Sequence, residues 1–165
     1  MNTDHQIVTD SDLMANSYAS VEELQDYASL RGITLSDHPP PSALLILAMD
    51  YLEGQYDHFK GVKERSEQPL QWPRREAWDS HGERIMGIPK RLKEAQMVLA
   101  LEAQSRELQP SLSPKDTIVT RESVAEAVQF TYERVERGLT APLFPKAAAL
   151  LRPLCRERRI TLRRT

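Results

Sequence analysis

A single cysteine, six glycines and an aromatic share of 6% set the first limits on this 165-residue chain. With Cys155 alone, no internal disulfide can form. The four histidines, His5, His38, His58 and His81, are scattered without an i, i+4 pair, so no zinc-ligand spacing is present and no metal is expected. The glycines are too dispersed for a phosphate-cradling loop, and no cofactor is expected. The longest apolar run, Ala43 to Met49, falls far short of the roughly 20 residues that span a bilayer, so no membrane is expected as a partner. The N-terminus, MNTDHQIVTDSD, lacks the basic start and apolar stretch of a signal peptide. These absences suit a reducing cytoplasm. Hydrophobic residues at 40% and charged residues at 28% are ordinary for one soluble globular domain.

Catalytic arrangements are also missing. Asp79-Ser80-His81 puts triad residue types side by side, but triads are assembled in space, and this tetrapeptide with Gly82 reads as a turn. Glu22-Glu23 sits at a helix start, where acidic side chains favour the helix dipole. Cys155 adjoins arginines that could lower its pKa, and it also reads as a small core residue. The expectation is therefore no enzyme.

What the chain does have is proline, eleven in all, placed so as to divide it. The stretch around which the rest is ordered is Gln68 to Lys90, QPLQWPRREAWDSHGERIMGIPK, which holds both tryptophans. Trp72-Pro73 keeps Trp72 out of helical geometry, and Pro89 suits the first turn of a helix. This predicts a long, Trp-Pro-anchored loop between the two main helices, without secondary structure of its own and therefore of functional interest. Ahead of it, residues 1–16 read as an extended N-terminal arm. Ser20 with Glu23 forms a capping box for a helix from Val21 to Leu30, ended by Gly32. Residues 42–56 read as the central core helix, with Leu44, Leu47, Ala48 and Tyr51 on one stripe and Leu45, Met49, Leu52 and Tyr56 on a second. Residues 89–108 read as the longest helix, stopped by Pro110 and Pro114. Pro145 opens a fourth, which Pro153 ends or kinks. Residues 116–134 fit both a strand pattern and a helix, with a slight lean to a hairpin.

The net charge of −2 conceals an asymmetry: residues 1–57 carry ten Asp/Glu and one Arg, whereas residues 152–165 carry six Arg and one Glu. An acidic front and a basic tail is an interaction signature, and it is also what a solvated face and a frayed end produce. Ile160 and Leu162 alternate with basic residues, as in a strand that adds to a partner's sheet edge. The tryptophans carry two readings. Trp72 and Trp78 could stack bases beside Arg74, Arg75 and Arg84, or their rings could pin the loop to the core.

In this order, SYASVEELQDYASLRG (17–32), AMDYLEGQY (48–56), QPLQWPRREA (68–77), IPKRLKEAQMVLALEA (88–103), VTRESVAEAVQFTY (119–132) and FPKAAALLRPL (144–154) resemble tailed-phage proteins labelled DnaT-like single-stranded DNA-binding. These are similar to the head–tail connector, or head-completion adaptor, proteins of long-tailed phages. The resemblance covers about residues 17–155, with the WPR block its most specific part; the tail lies beyond it, and VAEAV replaces the glycine turn of the family's hairpin.

The resemblance implies a mainly α (α+β) fold, a small bundle of about four helices with one β-hairpin at 116–134. It divides the chain into an arm (1–16), an adaptor domain (17–155) and a basic tail (156–165). It further implies a virion protein of the neck, made in the bacterial host cytoplasm. Its partners would be its own copies in a ring, usually of twelve, the portal protein, a downstream stopper or tail-completion protein, and genomic DNA passing without sequence-specific contact. On this reading Arg156, Arg158, Arg159, Ile160, Leu162, Arg163 and Arg164 contact the portal, and Trp72, Pro73, Arg74, Arg75 and Trp78 anchor the loop or meet the neighbouring subunit. The alternative is a single-stranded DNA-binding replication accessory protein, which the basic tail and the two tryptophans favour and the net acidic charge opposes.

Overall fold

The computed structural model describes residues 15–56, 58–108 and 144–156. Four helices are present: α1 (Val21–Ser29), α2 (Pro41–Gln55), α3 (Lys90–Ala103) and α4 (Pro145–Leu151), the last running into a 3₁₀ turn over Arg152–Leu154. Two short strands, β1 (Val62–Lys63) and β2 (Arg74–Arg75), pair antiparallel with Val62 opposite Arg75. The fold is thus small, mainly helical and α+β. α3 is central: it packs chiefly against α2 and α4, while α1 rests on α2 and α3.

Local chemistry accounts for the helix ends. The Ser20 hydroxyl accepts the Glu23 amide at 3.2 Å and Glu23 returns the bond to the Ser20 amide at 2.9 Å. Gly32, at φ 65°, reverses the chain after α1 as a left-handed cap. Pro41 and Pro145 occupy first-turn positions, where a missing N–H costs nothing, and Pro89 caps α3. α3 stops five residues earlier than the sequence pattern reads. The Ser105 and Arg106 amides both turn back to the Glu102 carbonyl, and Gln104 bonds instead to Thr34 and Ser36 across the bundle.

Leu24, Leu44, Leu45, Leu52, Leu92, Leu99 and Leu151 are fully buried at the centre. α2 buries Leu44, Leu45, Ala48, Met49 and Leu52 of the two expected stripes, leaves Tyr51 and Tyr56 half-buried and exposes Leu47 at 47%. Among these apolar groups lies one buried amide, Gln96. Its Oε1 accepts the Tyr18 and Ala19 amides at 2.9 and 3.0 Å, and its Nε2 donates to Ser17 Oγ at 2.7 Å and the Leu45 carbonyl at 3.0 Å. With every donor and acceptor used, Gln96 ties the segment entering α1 to α2 and α3.

The connection between α2 and α3 differs from the unstructured loop that its sequence predicts. It contains the β1–β2 pair and, further on, a small hairpin in which Trp78 bridges Arg84. The hairpin expected over 116–134 lies outside the described residues, as do the arm up to residue 14 and the tail from residue 157. No described helix is long and apolar enough to cross a membrane.

Candidate nucleic-acid interface

The two tryptophans have opposite fates. Trp72 is 2% exposed, joined to Pro73 by a cis peptide bond, and meets Phe59 edge-on with ring centroids 6.0 Å apart. Its amide donates to the Tyr18 hydroxyl at 3.2 Å. That hydroxyl donates to Glu53 Oε1 at 2.7 Å, and Glu53 also accepts the Gln71 amide at 3.2 Å. Burial, and then the Glu53 carboxylate, push the Tyr18 hydroxyl far above its ordinary pKa, so it stays a donor. Trp72 and the buried Pro73 therefore anchor the loop to the core, as one reading of the sequence has it.

Trp78 does not. It is 52% exposed, on a hairpin closed by local chemistry: Asp79 Oδ1 accepts the His81 and Glu83 amides at 2.8 and 2.9 Å, and Gly82 turns at φ 80°. The Glu83 amide, followed by that of His81, holds the Asp79 carboxyl below the usual carboxylate range. Asp79, Ser80 and His81 thus form an Asx-type turn. Val62 and Met86 are likewise exposed, at 41% and 72%.

Cations gather beside this hairpin. Lys60 Nζ donates to the Trp78 carbonyl at 3.3 Å, and the Lys60 amide bonds to the Leu154 carbonyl, next to Arg152. Arg74 is half-buried and donates to the carbonyls of Lys60, Gly61 and Gln71 at 2.8, 2.9 and 3.1 Å. Arg156 is held twice, its amide on the His58 carbonyl at 2.9 Å and its Nη2 on the Gly61 carbonyl at 2.8 Å, across 95 positions of sequence. Burial, and then the neighbouring Arg156 charge, lower the Arg74 pKa. Arg75 lies exposed on β2, opposite Val62. Gly61, at φ 70°, is required here: a Cβ would strike the Arg75 carbonyl oxygen.

A cleft of about 540 Å³ opens against this cluster, lined by Lys60, Ser80, Ala149, Arg152, Pro153 and Cys155. The Cys155 thiol is buried, and burial raises its pKa to about 11. Cys155 is therefore a neutral core group rather than an activated thiolate. The acidic side chains nearest in the hairpin are Asp79, occupied by the turn amides, and the exposed Glu83. Among the described residues no group of three His, Cys, Asp or Glu side chains comes together to hold a metal.

Of the residues singled out by sequence, the structure brings Arg74, Arg75, Trp78 and Arg156 to one region and sends Trp72 and Pro73 inward. Arg158, Arg159, Ile160, Leu162, Arg163 and Arg164 lie outside the described residues. Lys60 and Arg152 were not legible. Arg152 is read only as one of the arginines of 152–165 and Lys60 not at all, and their meeting depends on the chain crossing between Phe59 and Cys155.

Comparison with curated proteins and with solved structures returns no match. A family model described as "Putative DnaT-like ssDNA binding protein" matches residues 6–165. The match takes in most of the arm and all of the basic tail, which the sequence resemblance leaves out. This chain belongs to the DnaT-like single-stranded-DNA-binding family.

Proposed function

We propose that this protein binds single-stranded DNA on the face formed by Trp78 and the cations beside it. The observation that carries this reading is Trp78 itself: its indole is half-exposed, its backbone carbonyl accepts from Lys60, its bridge partner is Arg84, and Lys60 in turn shares a cleft with Arg152 and precedes Gly61, which holds Arg74 and Arg156. An exposed aromatic face with backbone-tracking cations is what sequence-tolerant single-strand binding needs: a base stacks on the ring, worth about 1–3 kcal/mol, and the cations neutralise phosphates. The family supports the same reading. Net charge does not decide it, because charge is unevenly spread: residues 1–57 carry ten Asp/Glu against one Arg, whereas the remaining residues carry fourteen Asp/Glu against 21 Lys/Arg. The role needs no catalytic group. The test is tryptophan emission during titration with oligo(dT). Trp78 should be quenched while the buried Trp72 is not, so Trp78→Phe should abolish the quenching and weaken binding several-fold. Unquenched emission at saturation would remove Trp78 from the interface.

A second reading, the phage head–tail connector, is favoured by a different observation. Exposed apolar side chains sit on several different elements, Leu30 and Ile33 after α1, Leu47 on α2, and Val62, Trp78 and Met86 on the interhelix connection. Head-to-tail rings require two unlike surfaces of this kind. On this reading the chain forms a ring in the virion neck and the tail arginines dock on the portal. Copy number in purified particles tests it: about a dozen copies supports a ring, and absence from the particle removes it.

A further inference from the structure

We infer that the cleft between Lys60, Ser80 and Arg152 is a phosphate site, taking one backbone phosphate of the strand whose base stacks on Trp78. The inference rests on the single-strand reading and adds to it the group that is held and the residues that hold it. Three observations carry it. The polar lining is two cations and a hydroxyl, with no carboxylate among the lining residues. Neither Lys60 nor Arg152 forms an ion pair with any described residue, whereas Lys90, Lys93 and Arg106 elsewhere on the molecule each do. Arg74 and Arg156 both donate to the Gly61 carbonyl beside Lys60, and the Arg156 charge acts on Arg74; Glu53 offsets part of the charge on Arg74, but no described carboxylate forms an ion pair with Lys60, Arg152 or Arg156. Like charges this close repel, and an anion in the cleft relieves the repulsion.

Geometry fits the same ligand. Lys60 uses one of its three ammonium donors on the Trp78 carbonyl and keeps two for a ligand. Ser80 lies two residues beyond Trp78 on the same hairpin, so one residue of the cleft and the stacking residue share one hydrogen-bonded turn. The thiol at the cleft's edge stays neutral up to a pH near 11 and does not repel an anion.

The test uses the full chain and two probes. Inorganic phosphate is titrated and followed by amide NMR; the peaks of Ser80 and Arg152 should shift, and the shifts should be lost in Arg152→Gln and reduced in Ser80→Ala. Fluorescein-labelled dT15 is then bound across a range of salt concentrations. Arg152→Gln should weaken binding several-fold and flatten the slope of log K against log salt by about 0.7, the value for one single-strand phosphate contact. The control Lys90→Gln, at an exposed ion pair on α3, should leave the slope unchanged. Trp78→Ala should weaken binding without changing the slope. Circular dichroism checks that each variant is folded, and Ser80→Ala removes only a hydroxyl. An unchanged slope in Arg152→Gln with dT15 still bound would overturn the phosphate site and leave the single-strand reading standing. Phosphate-dependent shifts without any dT15 binding would keep the site and remove the strand.

Discussion

The Tyr18 hydroxyl donates to Glu53 Oε1 at 2.7 Å while accepting the Trp72 amide at 3.2 Å, so one side chain of the segment before α1 joins α2 to the Trp-Pro loop. Tyr18→Phe leaves the Trp72 amide without an acceptor and Glu53 without its buried donor. Unsatisfied buried groups of this kind cost about 1–3 kcal/mol, so denaturant unfolding should show a loss of that size with an unchanged m value. A loss below about 0.5 kcal/mol would mean that the network does not secure the loop.

Gln96 carries a larger load. Gln96→Leu keeps the volume but strands the Tyr18 and Ala19 amides in the core and removes a second bond from the Ser17 hydroxyl and the Leu45 carbonyl. Destabilisation on the order of 3 kcal/mol or more is expected in the same assay, with the amides of Tyr18 and Ala19 losing protection from hydrogen exchange first.

These networks show where sequence stops being informative. The Ser20–Glu23 box, the Gly32 cap, the prolines that open α2 and α4 and the Asp79–Gly82 turn are legible because each is made by residues within a few positions of one another. Gln96 sits on α3 as an ordinary helix former, and nothing local says that its partners lie 51 to 79 positions away. Trp72 and Trp78 share one stretch and one residue type, yet the first is buried and the second exposed. That choice is made by Tyr18 and Phe59, which are remote in sequence. The strand pair went unread for a similar reason: two-residue strands leave no periodicity.

Gly61→Ala tests the cationic turn. The left-handed φ and the contact with the Arg75 carbonyl oxygen together should cost at least about 1 kcal/mol. Because Arg74 and Arg156 both donate to the Gly61 carbonyl, single-strand binding should weaken along with stability. A variant with wild-type melting temperature would contradict the tight turn.

Cys155 supplies a pH prediction. Burial raises its thiol from the ordinary value near 8.5 to about 11. The folded state therefore favours the protonated form. Any stability linked to this group is complete below about pH 8.5 and is lost as pH rises through about 11. At pH 8 the native thiol should react with a disulfide reagent far more slowly than the unfolded chain does; equal rates would contradict the burial.

The central claim is tested most directly by equilibrium binding of the full chain to labelled dT30 and to a duplex of the same length, repeated across salt. The account predicts preferential binding to the single strand, weakening linearly in log K against log salt. No binding at about 50 mM salt, or equal affinity for the duplex, would contradict it.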